Sequence, residues 1–423
     1  MARYYDDPMQ RELKTTIRSI GSERRSVVLG DTICYPEGGG QPGDRGLLAP
    51  LGEQAEARTA AFGPLRIADT HKDDAGQVLH ELDAALPAEI EPGAAVRLQL
   101  DWAHRWDYMQ QHTGQHVLSA ALLAEVEAPT VSVHQGSELT TIELDREELS
   151  EPEIAAAVAR ANRIIREDRP VRAFWTESSE LKRFELRRPT QRTGAVRLVE
   201  IEDTDLVACG GVHLPRTGML NLVHCVSVER IRGRIRLGFM IGDRALSDYA
   251  QKDRVARSLS SLLSAPVPEL PDRARRSLEE AQEQRGTLRR LRERLASALW
   301  AETRGMSPPG GEDAAPVYRR QLVDEDGDLF TSLVETAAAD TEVLAVLANR
   351  VGTDLQWALV VGSAWSFPSA ELRAEVLSPT GAKGGGKPPI WRGILRDAAP
   401  DGFERLADQF TEVVLRSCTR LPR

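Results

Sequence analysis

The sequence is poor in residues that staple a fold, anchor it in lipid or coat it with positive charge. Its 423 residues include four cysteines, Cys34, Cys209, Cys225 and Cys418, scattered too widely for a disulfide framework. No apolar run approaches the roughly eighteen residues that span a bilayer, so no membrane partner is expected. The opening MARYYDDPMQRELK has no apolar h-region; a secretory signal is not expected, and the cytoplasm is the default compartment. Nor is the chain basic. A net charge of −10 excludes a uniformly basic nucleic-acid binder, although a local basic surface stays open. Hydrophobic content of 41% and charged content of 28% are those of an ordinary globular protein, long enough for several domains.

Histidine is scarce too, eight in all, yet two of them stand four residues apart in HTGQH. A four-residue step returns to the same helix face, so His112 and His116 can grip one ion together. A second pair follows in VACGGVH, where Cys209 and His213 are again four apart across Gly210 and Gly211. Cys209 alone would read as a small buried hydrophobe. Three imidazoles and one thiolate together form a donor set suited to tetrahedral zinc, with the two glycines turning both side chains the same way. A zinc protease would need glutamate directly after the first histidine; Thr113 stands there.

The pattern along the chain predicts an α+β protein in four parts. Residues 1–100 alternate short apolar runs with Gly/Pro turns and read as a β-rich, barrel-like domain. Residues 101–247 mix a helix over 106–125, strands, and a polar helix over 149–167 into an α+β domain that carries both ligand pairs. Residues 248–304 are long, charged and helical. Leu278, Ala281, Leu288, Leu295 and Leu299 fall near heptad spacing there, which suggests a hairpin folded on itself or, failing that, a dimer seam. GMSPPGGEDAAP, 305–316, reads as a linker. Residues 317–423 read as a compact α/β domain ending in a helix.

HTGQH followed by CGGVH resembles the HxxxH and CxxxH signatures of the alanyl-tRNA synthetase editing domain and its freestanding, AlaX-like relatives. CYPEGGGQPGDRG is similar to their glycine motif, with Cys34 in place of the usual aromatic. DWAHRWDYMQQHT resembles the family's approach to its first histidine. HQGSE puts His134 at a substrate-contacting position, and RTG at 216–218 matches the segment after the second ligand pair. LLSAPVPELPDR resembles the synthetase connector. GAKGGGKPPIWRG resembles the glycine-rich signature of the C-terminal, DHHA1-like domain, implicated in tRNA contact, although Ile390, Trp391 and Arg392 replace the usual glutamine-glycine run. Phosphoesterases that share this tail need an Asp-His-His motif that the sequence lacks.

The resemblance implies a trans-editing hydrolase that deacylates alanine tRNA mischarged with serine or glycine at a zinc site. Its metal ligands would be His112, His116, Cys209 and His213. Thr113, His134 and Gln41 become candidates for the hydrogen bond that recognises a serine hydroxyl. Gly38, Gly39 and Gly40 would shape a loop that approaches the ligand closely. Lys383 and Lys387, flanking Gly384 to Gly386, would meet tRNA phosphates. A homodimer through the helical connector or the C-terminal domain is compatible with the pattern. The alternative is a non-catalytic, zinc-stabilised tRNA-binding module, because four protein ligands also describe a closed structural site.

Overall fold

The computed structural model describes residues 3–51, 64–306, 316–367 and 369–421, and the chain divides into two compact units, Met1–Leu259 and Ser260–Arg423. Most of the expected linker over 305–316 lies outside the described residues.

The first unit begins with a closed barrel of six strands: β1 (Glu12–Ile20), β2 (Ser26–Leu29), β3 (Gly46–Pro50), β4 (Leu65–Lys72), β5 (Val78–Leu82) and β6 (Ala95–Leu100). Their order is β1-β2-β5-β4-β3-β6. Strict alternation makes the barrel: in β6, Val96, Leu98 and Leu100 point inward and the residues between them outward. Ile17, Val27, Ile33, Leu48 and Ile67 complete its core.

Asp101 then caps helix α1 (Trp102–Val126) by accepting a hydrogen bond from the His104 N–H. Nearly every residue of α1 from Met109 to Leu122 is buried, so it is a central helix enclosed on all sides. Gly114, which costs a helix about 1 kcal/mol against alanine, has a packing reason here: a Cβ on it would lie 2.5 Å from Ile241 Cγ2. Beyond α1 come β7 (Thr130–Gln135), β8 (Thr140–Leu144) and helix α2 (Glu151–Arg166), then β9 (Val171–Glu177), β10 (Ala195–Ile201), β11 (Asp205–Ala208), β12 (Val223–Ile231) and β13 (Arg234–Ile241). They form a four-stranded sheet, β12-β13-β8-β7, and a three-stranded sheet, β11-β10-β9. Ser150 and Glu153 close a capping box on α2, whose Ile154, Ala157, Ala161, Ile164 and Ile165 enter the shared core with Leu118, Leu122, Leu237 and Phe239.

Helix α3 (Asp243–Leu263) spans the division between the units, and α4 (Leu270–Gly305) follows. The hairpin expectation is corrected. Leu278, Leu288, Leu291 and Leu295 of α4 are 73%, 51%, 53% and 47% exposed, so no packed partner covers them among the described residues. The charged residues between these leucines keep that face solvated. Only the end of α4 is buried, through Ala296, Trp300 and Thr303.

The second unit is built on a sheet of β14 (Val317–Val323), β15 (Leu344–Val351), β16 (Asp354–Val361), β18 (Lys383–Lys387) and β19 (Ile390–Leu395), ordered β14-β15-β16-β19-β18. A small ribbon pairs β17 (Trp365–Ser366) with β20 (Thr419–Arg420). β15 is buried on both faces, which explains its unbroken apolar run. Helix α5 (Gly327–Ala338) covers one face through Leu333 and Ala337, and α6 (Gly402–Ser417) covers the other through Leu406 and Phe410.

Candidate functional site

One turn of α1 separates His112 from His116, and their ring centroids lie 5.2 Å apart. The chain leaving β11 brings the second pair to them: the His213 ring is 4.4 Å from His112 and 4.7 Å from His116. Cys209 Sγ lies 3.3 Å from His112 Nε2 and 3.4 Å from His213 Nε2. The ligand-type atoms of His112, His116, Cys209 and His213 all fall within 4.8 Å of one another. Close approach dictates glycine in the turn, since a Cβ on Gly211 would lie 2.1 Å from His112 Cε1.

A second ring of residues orients the imidazoles. Gln41 Oε1 accepts the Val212 N–H at 3.1 Å, which identifies that atom as the amide oxygen; it lies 2.8 Å from His112 Nδ1. His112 Nδ1 must therefore carry a proton, and its Nε2 faces Cys209. Asp205 Oδ2 sits 3.0 Å from His116 Nδ1, and Arg187 binds the same carboxylate at 2.6 Å. Thr113 Oγ1 accepts the Leu214 N–H at 3.0 Å and lies 3.4 Å from His213 Nδ1. All three Nδ1 atoms thus have outer partners. Arg197 donates to the carbonyls of Cys209 and Gly211, at 3.1 and 2.7 Å, and Tyr5 donates to that of Gly210 at 2.9 Å.

The electrostatics follow from this packing. Burial opposes ionisation of the Cys209 thiol, but the His112, His213 and His116 imidazoles overcome it and hold the thiol well below its usual range. Burial also opposes the charged form of His116, which the Cys209 thiolate and Asp205 raise to about 9. His213 goes the other way, pushed down to about 3 by burial and by His112. Burial opposes the Asp205 charge as well, yet His116 and Arg187 keep its carboxyl below the ordinary value.

The other sequence candidates divide by location. Gln41 is buried at the cluster, and its Nε2 has no hydrogen-bond partner. Thr113 is buried there too. Gly39 and Gly40 have φ of +63° and +86°, and a Cβ on Gly40 would lie 3.7 Å from the Val133 carbonyl on β7. That contact sets the glycine loop against the strand bearing His134, which is exposed and has no hydrogen bond to the four ligands among the described residues. Lys383 and Lys387 belong to the second unit, as exposed ends of edge strand β18. Gly384 and Gly393 lie against the Trp357 ring, where a Cβ on either would be 2.7 Å from Cζ2. Beside them a cleft of about 720 Å³ is lined by Lys387, Arg392, Phe330 and Thr331, among others. Sequence reasoning missed Asp205, Arg187, Arg197 and Tyr5; no motif marks them.

The family described as the threonyl and alanyl tRNA synthetase second additional domain matches residues 196–237, which include Cys209 and His213. The alanine–tRNA ligase of Pyrococcus furiosus is 30% identical over 405 residues, 93% of this chain and 42% of the ligase. The alanyl-tRNA editing protein AlaX-L of Pyrococcus horikoshii is 29% identical over 409 residues, 94% of this chain and 95% of that protein. The similarity to AlaX-L thus runs along nearly the whole length of both chains. The chain spans about two fifths of the length of the ligases it matches. The C-Ala domain of Aquifex aeolicus alanyl-tRNA synthetase aligns with 26% of this chain and 97% of its own at 16% identity, with a TM-score of 0.20, too low to establish a shared fold.

Proposed function

We propose that the chain is a trans-editing hydrolase that removes serine or glycine from mischarged alanine tRNA at a zinc site formed by His112, His116, Cys209 and His213. The observation that carries the reading is the orientation of the donors. Every Nδ1 has an outer partner, while the Nε2 atoms of His112 and His213 face the Cys209 sulfur inside the cluster. Histidine ligands are held in this way at metal centres. Zinc, when bound, supplies Lewis acidity and lowers the pKa of attached water.

The chain's own side chains position the substrate. With its Nε2 committed to metal, His213 directs its Nδ1 proton at Thr113 Oγ1, which already accepts from Leu214. Both lone pairs of the Thr113 hydroxyl are then occupied, and its proton is free to meet a substrate hydroxyl. Gln41 Nε2 is a buried donor without a partner, an expense that a bound substrate oxygen would relieve. Gly38, Gly39 and Gly40 give the substrate room beside His134. Lys383 and Lys387 hold tRNA phosphates in the second unit. Among the described residues no helix is long and apolar enough to cross a membrane, and we place the protein in the cytoplasm.

The complete set of four ligands favours a second reading, in which the metal is structural and the protein only holds tRNA. Turnover separates the two. The editing reading expects release of free serine from seryl-tRNA by the intact protein and none from His112→Ala or His116→Ala, each of which still binds tRNA. Equal tRNA retention without any release by the intact protein identifies the binding module.

A further inference from the structure

The sheet β11-β10-β9 carries a feature that neither its core nor the metal cluster requires. Trp175 on β9 is 56% exposed, the only one of seven tryptophans outside the protein's interior or its margin. It lies across the strand pair from Arg197, whose guanidinium binds the carbonyls of Cys209 and Gly211 and sits 4.6 Å from the Tyr5 ring centroid. Tyr5 bonds the Gly210 carbonyl and packs edge-on against Trp175, with ring centroids 5.8 Å apart. An unbroken series of contacts therefore runs from the Cys209–His213 turn to an aromatic surface in solvent.

Charge accumulates in the same place. Residues 172–197 hold seven lysines and arginines against three glutamates, in a chain whose net charge is −10. Lys182, Arg188 and Arg192 are exposed and form no ion pair among the described residues. Arg192 is located well: its Nη1 would lie 3.9 Å from a Cβ on Gly210, beside the Tyr5 hydroxyl at 3.7 Å. An exposed aromatic ring with unpaired cations is the surface that unpaired nucleic-acid strands use, through base stacking and phosphate contact.

We propose that Trp175 and Arg192, with Arg188 flanking them, form a rim that holds the unpaired 3′ end of an RNA beside the metal cluster, Trp175 stacking on a base and the arginines meeting phosphates. The inference rests on the editing reading for its choice of RNA end, but its test does not need catalysis. The probe is an uncharged hairpin RNA ending in an unpaired CCA, compared with the same hairpin ending blunt. Binding of the tailed hairpin quenches tryptophan fluorescence in the full-length protein, and Trp175→Phe abolishes most of that quench. Trp175→Ala weakens binding of the tailed hairpin by about tenfold, and Trp175→Phe restores most of the affinity. Arg188→Ala with Arg192→Ala flattens the salt dependence by roughly 0.7 per lost phosphate contact. The blunt hairpin binds all variants alike. Wild-type affinity of Trp175→Ala for the tailed hairpin, or equal losses for tailed and blunt RNA, overturns the proposal. Because the probe carries no amino acid, the result is independent of whether the protein deacylates tRNA.

Discussion

Each imidazole of the cluster has an outer neighbour at its Nδ1 that orients it. Asp205 would act on a bound metal only through His116 Nδ1, so Asp205→Asn keeps its shape but weakens the contact. We expect zinc affinity to fall by roughly 10–100-fold in competition with a chromogenic chelator; unchanged affinity would remove Asp205 from the site. Gly211→Ala acts by sterics, because the new methyl meets His112 at 2.1 Å. Zinc content of the purified variant should drop below stoichiometric, and full retention contradicts the geometry. Inside the barrel, His80 is buried between Thr32 and the Val27 carbonyl, and burial pushes its pKa from 6.5 down to about 4. The unfolded chain therefore binds a proton that the folded chain refuses between those values. Stability is full above about pH 6.5 and declines as pH falls towards 4, by roughly 3 kcal/mol in total from this group. Urea unfolding at pH 7 and pH 5 should show the loss, and His80→Gln should shrink it.

At the scale of elements, the glycine loop and α1 are locked by one buried ion pair. Arg105 binds Asp44 through Nε at 3.0 Å and through Nη2, and also donates to the carbonyls of Pro8 and Ile33. Asp44 in turn accepts the Tyr35 N–H, which anchors the loop carrying Gln41 to the helix carrying His112. Removing one partner strands the other charge in the core. Asp44→Ala should cost about 3–5 kcal/mol in denaturant unfolding, and a cost under about 1 kcal/mol would contradict the burial of the pair. Much at this scale was legible in the sequence. Short apolar runs between Gly/Pro turns marked the barrel strands, and the polar stretch over 149–167 marked α2 within two residues at either end. HTGQH and CGGVH stood out because metal chemistry would demand those residue types at that spacing, and the structure brings the four side chains together. The outer pairings were illegible for the opposite reason: Gln41, named only as a candidate for substrate contact, meets His112 across 71 positions, and Asp205 meets His116 across 89, so only tertiary packing pairs them. Gly114 lowers helix propensity in α1, and its reason, the Ile241 side chain behind it, is visible only in the structure. The connector misled through its heptad-like leucines, whose spacing is shared by buried seams and by solvated helices.

For the whole molecule, an acidic chain must gather its cations to hold a polyanion. Lys383 and Lys387 are exposed on one edge strand, with Arg392 on the neighbouring strand. Lys383→Ala with Lys387→Ala should weaken tRNA binding and flatten its salt dependence by roughly one to two units. At saturating protein the single-turnover rate should stay near that of the wild type, since the cluster lies in the other unit; a collapse of that rate would give the lysines a different role. The central claim is that the His/His/Cys/His cluster holds a zinc ion needed for ester cleavage. It is tested most directly by single-turnover release of serine from seryl-tRNA by the intact protein as purified, after chelator treatment and after return of one equivalent of zinc. Release, loss and recovery are expected in that order, with tRNA binding retained throughout; undiminished release by fully metal-stripped protein would show that cleavage needs no zinc.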